Sequence, residues 1–161
     1  MDCNQYVRII ALDFSKAFDT VRHQELCRKL AEVPVGDQVY NWIVSYIENR
    51  SHYTRAGGET STRATINSSV VQGSAIGPVA FIINARDLKA ASAGNVLLKY
   101  ADNTYLIVPS SNDFTIDNEL TNISQWAQKN DLNLNRSKSQ EIIIREERWR
   151  NTGADNWNRA C

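Results

Sequence analysis

Apolar residues follow two patterns along this chain, one typical of strands and one typical of helices. Short runs rich in β-branched residues, bounded by polar or turn-forming residues, predict strands. Longer segments in which apolar side chains recur at three- and four-residue intervals predict amphipathic helices. The segment 51–72 is rich in Ser, Thr and Gly, which favours a loop or hairpin leading into a short strand. The predicted strands are residues 6–13, 69–71, 96–100, 105–108 and 140–144, and the predicted helices are residues 23–33, 37–49, 78–91 and 112–130.

The order of these elements predicts the fold class. A strand is followed by helices and a hairpin strand, then by a helix, a hairpin, a further helix and a last strand. This order is typical of an α+β fold in which helices pack on one face of an antiparallel sheet, as in the split βαβ arrangement of ferredoxin-like proteins. We expect one domain over residues 1–145 and a polar, poorly ordered tail over residues 146–161. We expect Trp42, Tyr46 and Trp126 to lie in the core, because each continues the apolar side of its helix.

Composition and charge exclude several classes of protein. The chain has 161 residues, of which 42% are hydrophobic, and its 18 basic residues balance its 18 acidic residues. A chain of this length and apolar content can bury a core, which excludes a disordered polymer. No apolar run approaches the ~20 residues that a membrane span needs, and the N-terminus lacks the features of a signal peptide. We therefore expect an intracellular protein that does not bind membranes, in the nucleus or the cytoplasm. The zero net charge argues against a stand-alone nucleic-acid-binding protein, which normally carries a basic excess.

Two aspartates occupy positions from which they can act together. Asp13 ends the first predicted strand, and Asp102 lies at the turn of the later hairpin. If the two strands are neighbours in the sheet, both carboxylates meet at one edge, where oxygen ligands suit Mg²⁺ and leave room for phosphate oxygens. Two such ions can stabilise the attacking and the leaving oxygens of a phosphoryl transfer. Aspartate is also common at strand ends and in turns for structural reasons alone, so these two positions by themselves leave both interpretations open.

Four short stretches, in a fixed order along the chain, place these aspartates in a wider pattern. They are DFSKAFDTV at residues 13–21, QGSAIGP at residues 72–78, YADN at residues 100–103 and LNLNRSKS at residues 132–139. Together they resemble the palm of reverse transcriptases, in particular those of non-LTR (LINE-type) retrotransposons. The resemblance extends over residues 9–144, and the ordered set of four motifs is far more specific than any one of them. It implies a polymerase palm and RNA-directed DNA synthesis.

The resemblance implies a set of metal ligands. Asp13 and Asp102 match the two catalytic aspartates that bind metal in this family, and Phe14 would contribute its backbone carbonyl. Asn103 stands where the family has a further aspartate, so it would offer an amide oxygen in place of a carboxylate. The implied cofactor is Mg²⁺, as a pair of ions that Mn²⁺ can replace. The implied partners are an RNA template, a DNA primer and deoxynucleotides.

The resemblance also implies contacts with the incoming nucleotide. The backbone amides of residues 14–17 would lie against the triphosphate, and Lys138 would face the triphosphate or the leaving pyrophosphate. Phe18 would crowd the sugar 2′ position and so favour deoxynucleotides, and Gln72 and Gly73 match a turn that contacts the template base and the nucleotide. Structural alternatives stay open, namely a core aromatic for Phe18, a plain turn for Gly73 and a surface lysine for Lys138. The implied nucleotide-binding residues are Phe14, Ser15, Lys16, Ala17, Phe18, Gln72, Gly73 and Lys138.

Departures from the family pattern leave the present activity open. Asn103 removes a full negative charge from the metal site, so metal affinity and rate should fall. The chain begins only a few residues before the Asp13 strand and stops soon after the lysine motif, so the fingers and thumb of the family are expected to be largely missing. Two hypotheses follow: a working RNA-directed DNA polymerase, or a non-catalytic relic of a retroelement. A third, a dehalogenase-like phosphotransfer enzyme, needs a second acid two residues after Asp13, where this chain has Ser15.

Overall fold

The computed structural model describes residues 5–71 and 73–145, so the predicted tail and Gln72 lie outside the described residues. Each predicted helix and all but one of the predicted strands have a counterpart, and several short elements lie between them. The elements in chain order are β1 (Tyr6–Leu12), β2 (Phe14–Ser15), α1 (Ala17–Thr20), α2 (His23–Leu30), α3 (Asp37–Ile47), β3 (Arg50–His52), β4 (Arg55–Ala56), β5 (Glu59–Thr60), β6 (Ala64–Ile66), α4 (Ile76–Asn84), β7 (Val96–Tyr100), β8 (Asn103–Pro109), a 3₁₀ helix (Ser110–Thr115), α5 (Ile116–Lys129), β9 (Asn133–Leu134) and β10 (Gln140–Arg145).

The four long strands form the main sheet in the order β10-β1-β8-β7. Every neighbouring pair in this sheet is antiparallel. The first strand, β1, lies inside the sheet between the last strand, β10, and β8, and the helices α1 to α4 lead from β1 to the far edge at β7. This is the split βαβ arrangement, and the predicted α+β class is confirmed.

The helices pack on one face of the sheet, where the core lies. Successive side chains of a strand point to opposite faces, so Ile10 and Leu12 of β1 share the helical face with Leu106 and Val108 of β8. All four are buried, and full burial of such a side chain contributes about 1.5–3 kcal/mol. The helices contribute to the same cluster through side chains that include Leu26, Ile47, Phe81 and Ile123. No helix among the described residues is long and apolar enough to cross a membrane.

Helix α4 ends earlier than its apolar run predicts. The run favours a helix up to residue 91, but α4 ends at Asn84. The ammonium group of Lys99 donates to the carbonyls of Ala85 and Leu88 at 2.7 and 2.8 Å, and that of Lys29 donates to the carbonyl of Asn84. Because lysines from other elements satisfy the carbonyls that a longer helix would have used, the chain turns away at this point.

Three other predictions need correction. No strand forms at residues 69–71, because Ser69 has a φ of 86° and the neighbouring Ser68 makes only an isolated bridge to Arg22. The last helix does not start at residue 112, since a 3₁₀ helix precedes α5, which begins at Ile116. Trp42 is not a core residue: it is 59% exposed and stacks on Tyr46 with ring centroids 6.0 Å apart.

Lys29 of α2 is a charged residue in the core, with 1% of its surface exposed. Its Nζ donates to Asp87 Oδ1 at 2.9 Å and to Asn130 Oδ1 at 2.7 Å, and it lies 5.4 Å from the ring centroid of Trp126. The indole Nε1 of Trp126 donates to the same Asp87 oxygen at 2.9 Å. A buried charge is tolerated when it is paired and hydrogen-bonded, so this cluster ties α2, α5 and the turn after α4 together.

Glu119 of α5 is a second buried charged side chain, with no exposed surface. Its carboxylate accepts hydrogen bonds from the backbone amides of Ala91 and Ser92 at 2.9 and 2.7 Å and from Asn95 Nδ2 at 2.9 Å. Desolvation raises the pKa of Glu119, but the bonds from Ala91, Asn95 and Ser92 together hold that pKa below its usual value. The carboxylate thereby fixes the loop that precedes β7.

Candidate active site

The two candidate aspartates lie at the same end of the main sheet. β1 ends at Leu12, which pairs with Thr104 of β8, and Asp13 follows directly. Continuing this antiparallel register by one residue places Asp13 opposite Asn103, with Asp102 beside it in the turn between β7 and β8. The strands that carry the two acids are therefore neighbours, as a shared metal site requires.

The oxygens of these acids are available to a ligand. Asp13 and Asp102 are half-buried, and neither carboxylate has an ion pair or a hydrogen bond to a described residue. Within the described ranges no group of three or more His, Cys, Asp or Glu side chains is placed to hold a metal ion. The donor set is thus two carboxylates with the amide of Asn103 nearby. Such a set fits Mg²⁺, which is commonly held by one or two carboxylates and completes its shell with water and phosphate oxygens.

The loop between β9 and β10 is joined to the backbone of Asp13. The amide of Asn135 donates to the Asp13 carbonyl at 2.8 Å, and the Asp13 amide donates to Ser139 Oγ at 3.4 Å. Ser139 Oγ in turn donates to the carbonyl of Asn135 at 2.9 Å. The exposed Lys138 lies in this loop, so the structure brings the fourth motif to the first. Neither Asn135 nor Ser139 was predicted to have a role, although both lie within the fourth motif.

Directly after Asp13 the chain forms the short strand β2, which pairs with β9, and then turns sharply. Phe14 pairs with Leu134, and the buried Phe14 ring meets Trp126 edge-on with centroids 6.1 Å apart. Lys16 then adopts a left-handed conformation, with a φ of 53°, and leads into α1, where Ala17 is buried. The half-buried Ser15 and the exposed Lys16 are thus surface residues of the turn beside Asp13.

Phe18 lies between the core and an open pocket. Its ring packs on Phe81 with centroids 5.2 Å apart. It also lines a pocket of about 720 Å³ together with Gly73 and Pro78 of the second motif. The first and second motifs therefore share a pocket. Phe18 packs against the core and also forms part of the pocket wall.

The second motif forms a tight turn before α4. Gly73 has a φ of 77°, a conformation that glycine adopts without strain. Ser74 Oγ donates to the carbonyl of Val71 at 2.7 Å and accepts from the Gly77 amide at 3.1 Å, which starts α4 two residues before Pro78. A Cβ on Gly77 would lie 3.1 Å from the Val71 carbonyl oxygen, so this position favours glycine. Ser74 and Gly77 are structural parts of the motif whose function the sequence pattern did not reveal.

Comparison with known families decides what these motifs belong to. The family model described as "Reverse transcriptase (RNA-dependent DNA polymerase)" matches residues 2–155. This chain belongs to the reverse transcriptase family.

Its relatives include reverse transcriptases of non-LTR retrotransposons. The polyprotein of the type-1 retrotransposable element R2 of Popillia japonica is 25% identical over 149 residues, which are 84% of this chain and 21% of that protein. The RNA-directed DNA polymerase of the mobile element jockey of Drosophila funebris is 28% identical over 155 residues, which are 89% of this chain and 17% of that protein. This reverse transcriptase chain therefore spans about a fifth of the length of these relatives.

Solved structures confirm the polymerase palm fold. Telomerase of Candida tropicalis, in its apo form truncated from the C-terminal domain, superposes with a TM-score of 0.66 at 20% identity, over 86% of this chain and 31% of that one. A second structure of apo telomerase from the same organism superposes with a TM-score of 0.65 at 17% identity, over 88% of this chain and 29% of that one. At this level of identity the likeness supports the fold alone.

Proposed function

We propose that this chain is the palm of an RNA-directed DNA polymerase that extends a DNA primer on an RNA template by two-metal phosphoryl transfer. The observation that carries the proposal is the register of β1 with β8, which sets Asp13 and Asp102 at one end of adjacent strands. Carboxylates that no described side chain neutralises are available to bind divalent ions there. Family membership supports this type of reaction, and the register of β1 with β8 supports these two residues as its metal ligands.

Asp13 and Asp102 would hold Mg²⁺ or Mn²⁺, with the Phe14 carbonyl and the Asn103 amide oxygen as further ligands. When bound, two such ions neutralise charge on the attacking primer 3′-hydroxyl oxygen and on the leaving oxygen of the deoxynucleotide α-phosphate. The Asn135 amide donates to the Asp13 carbonyl and the Asp13 amide donates to Ser139 Oγ, so the backbone of Asp13 is held on both sides and its carboxylate would keep its position as ligands change.

The remaining motif residues would bind the nucleotide. Lys138 places an ammonium group on the loop next to Asp13, where a cation stabilises the charge that develops on the leaving pyrophosphate. The amides of residues 14–17 turn beside the same site and would donate to the triphosphate. Phe18 and Gly73 would bound the sugar and the base in their common pocket, with Gln72 next to Gly73 in the chain.

A second candidate function is that of a retroelement relic without turnover, and Asn103 favours it. An amide at this position keeps one oxygen for a metal but lacks the charge of a carboxylate. The fold tolerates it, since Asn103 is exposed at the start of β8, where it pairs with Tyr100. Loss of metal affinity without loss of structure is the expected signature of such a relic.

Primer extension on an RNA template, first with Mg²⁺ and then with Mn²⁺, tests the proposed activity. The Asp13→Ala variant is the blank, and circular dichroism confirms that both proteins are folded. Extension by the parent chain that the variant lacks supports the polymerase, whereas equal extension by the variant excludes Asp13 as a metal ligand. No extension by a folded parent chain supports the relic.

Mn²⁺ binding, followed by electron paramagnetic resonance, examines the metal site independently of turnover. The parent chain should bind Mn²⁺, and Asp13→Ala and Asp102→Ala should each lose most of that binding. Binding that both variants retain would place the metal elsewhere and reject the site.

A further inference from the structure

The segment between α3 and the second motif forms an exposed hairpin with a basic character. β3 pairs with β6 at its base, and β4 pairs with β5 farther along. Residues 50–66, here called the basic hairpin, contain three arginines, one histidine and a single acidic residue, Glu59, in a chain of zero net charge. Ser and Thr occupy six further positions of the segment, and their hydroxyls can donate to phosphate oxygens.

Two of these arginines are held on one aromatic ring. The guanidinium carbons of Arg55 and Arg63 lie 5.9 and 5.7 Å from the ring centroid of Tyr53. Tyr53 itself is 46% exposed, and both arginines are exposed. A contact with a ring orders a guanidinium group without neutralising it, so Tyr53 holds two positive charges beside its ring at the surface.

The guanidinium groups of the basic hairpin differ from others in the molecule in their partners. Arg8 is bonded to Asp113, and Arg28 and Arg86 both pair with Glu32 at 2.8 Å. In contrast, no ion pair between described residues involves Arg55 or Arg63. Their N–H donors therefore stay open to an external anion, and a phosphate matches the guanidinium fork.

The base of the basic hairpin adjoins the second motif. Arg50 lines a small cavity together with Ser74 and Gly77, at the start of α4. From Ile66, the end of β6, only residues 67–72 separate the hairpin from Gly73. A strand of nucleic acid that reaches the Gly73 turn has the basic hairpin as its neighbour.

We propose that the basic hairpin binds phosphates of an unpaired stretch of the RNA template through Arg55 and Arg63, with Tyr53 as the residue that positions both guanidinium groups. This rests on the proposed function, which supplies an RNA strand at the second motif. Phosphates are favoured over protein carboxylates because two guanidinium groups on one ring and many hydroxyls match a chain of regularly spaced anions.

Binding of a fluorescein-labelled 20-nucleotide uridine RNA, followed by anisotropy at several salt concentrations and without divalent metal, tests the proposal. The variant Arg55→Gln/Arg63→Gln should weaken binding about tenfold and reduce the slope of log K against log salt by about 1.4, because each lost phosphate contact on a single strand contributes about 0.7. The matched control Arg28→Gln/Arg86→Gln loses the same charge from paired arginines and should bind like the parent chain.

Variants at Tyr53 separate positioning from bulk charge. Tyr53→Ala releases both guanidinium groups and should weaken RNA binding severalfold with the net charge unchanged, whereas Tyr53→Phe keeps the ring and should bind like the parent. Equal binding by Tyr53→Ala and the parent chain would remove Tyr53 from the proposal.

Three outcomes would overturn the proposal: no RNA binding by the folded parent chain, an equal loss in the two double-arginine variants, or displacement of RNA by polyglutamate as readily as by unlabelled RNA. If primer extension fails while the hairpin variants behave as expected, the polymerase activity is rejected and the RNA-binding surface is kept. If primer extension succeeds while the hairpin variants bind RNA like the parent chain, the RNA-binding surface is rejected and the polymerase activity is kept.

Discussion

Glu119 and Asp13 both carry a carboxylate, but the two side chains differ in burial and in hydrogen bonding. Glu119 has no exposed surface and accepts three hydrogen bonds from Ala91, Ser92 and Asn95. Asp13 is half-buried just after the end of β1, and among the residues that the structure describes its bonds are those of its backbone, to Asn135 and Ser139.

The same contrast separates Lys29 from Lys138. Lys29 is buried and donates to Asp87, Asn130 and a backbone carbonyl, whereas Lys138 is exposed in the loop beside Asp13. A polar group whose bonding is complete stabilises the fold, and one whose bonding is incomplete is available to a ligand. Substitutions in the first set should therefore change stability, and substitutions in the second should change binding.

The largest effect on stability is expected at Glu119. Glu119→Ala removes the acceptor of three buried donors and should lower the free energy of unfolding by about 3 kcal/mol, measured by urea denaturation. Asn118→Ala, at an exposed position of the same helix, is the control and should change it by less than about 0.5 kcal/mol. Similar losses in both variants would mean that the carboxylate adds nothing beyond helix stability.

The second-largest loss of stability is expected when the buried Lys29 is replaced. Lys29→Met keeps the volume of the side chain but removes its bonds to Asp87, Asn130 and the Asn84 carbonyl, of which Asp87 keeps only the donor Trp126. Unfolding should therefore require about 2 kcal/mol less. Thermal and urea denaturation measure the loss, with Lys89→Met at an exposed position as the control. A variant as stable as the parent would show that apolar packing alone suffices at this point in the core.

Acid should weaken the Glu119 clamp in a defined pH range. Its pKa in the folded protein lies below the usual value of 4.5, so the ionised carboxylate stabilises the fold fully above that value. This contribution is lost as the pH falls from 4.5 through the lower pKa of the folded state. The stability advantage of the parent over Glu119→Gln, measured by urea denaturation, should therefore be constant from pH 7 to 5 and shrink below 4.5; an advantage independent of pH would contradict the assignment.

At the end of the main sheet that carries Asp13 and Asp102, Asn103→Asp should strengthen metal binding. The change adds a carboxylate opposite Asp13, so Mn²⁺ affinity should rise about tenfold. Calorimetric titration measures this change, and Asn103→Ala should move the affinity in the opposite direction. An unchanged affinity in the aspartate variant would show that the side chain at 103 does not reach the ion.

The smallest effect on stability is expected at Asp13 and Asp102, the two proposed metal ligands. Asp13→Asn and Asp102→Asn remove charges without bonded partners among the described residues, so without metal each should change the free energy of unfolding by less than about 0.5 kcal/mol. Urea denaturation in the presence of a chelator makes the measurement. A loss comparable to that of Glu119→Ala would mean that these carboxylates are structural.

The strands and longer helices were predictable because their patterns are local. The apolar run of β1, the hairpin of β7 and β8 and the apolar side of α5 each depend on residues that lie close together in the sequence. The same local reasoning failed at α4, where Lys29 and Lys99 come from distant elements to occupy the last carbonyls. It also failed at Trp42, whose exposure depends on what packs against α3.

The sequence by itself determined the family, the order of the four motifs and the two candidate acids, because residue type and spacing are written in the chain. Only the tertiary structure decided that β1, which ends just before Asp13, pairs with β8, which begins just after Asp102, that Ser139 accepts a bond from the backbone of Asp13, and that two arginines share the ring of Tyr53. These contacts join residues through strand register and loop closure, which arise when the whole sheet forms and leave no periodic signal in any one segment.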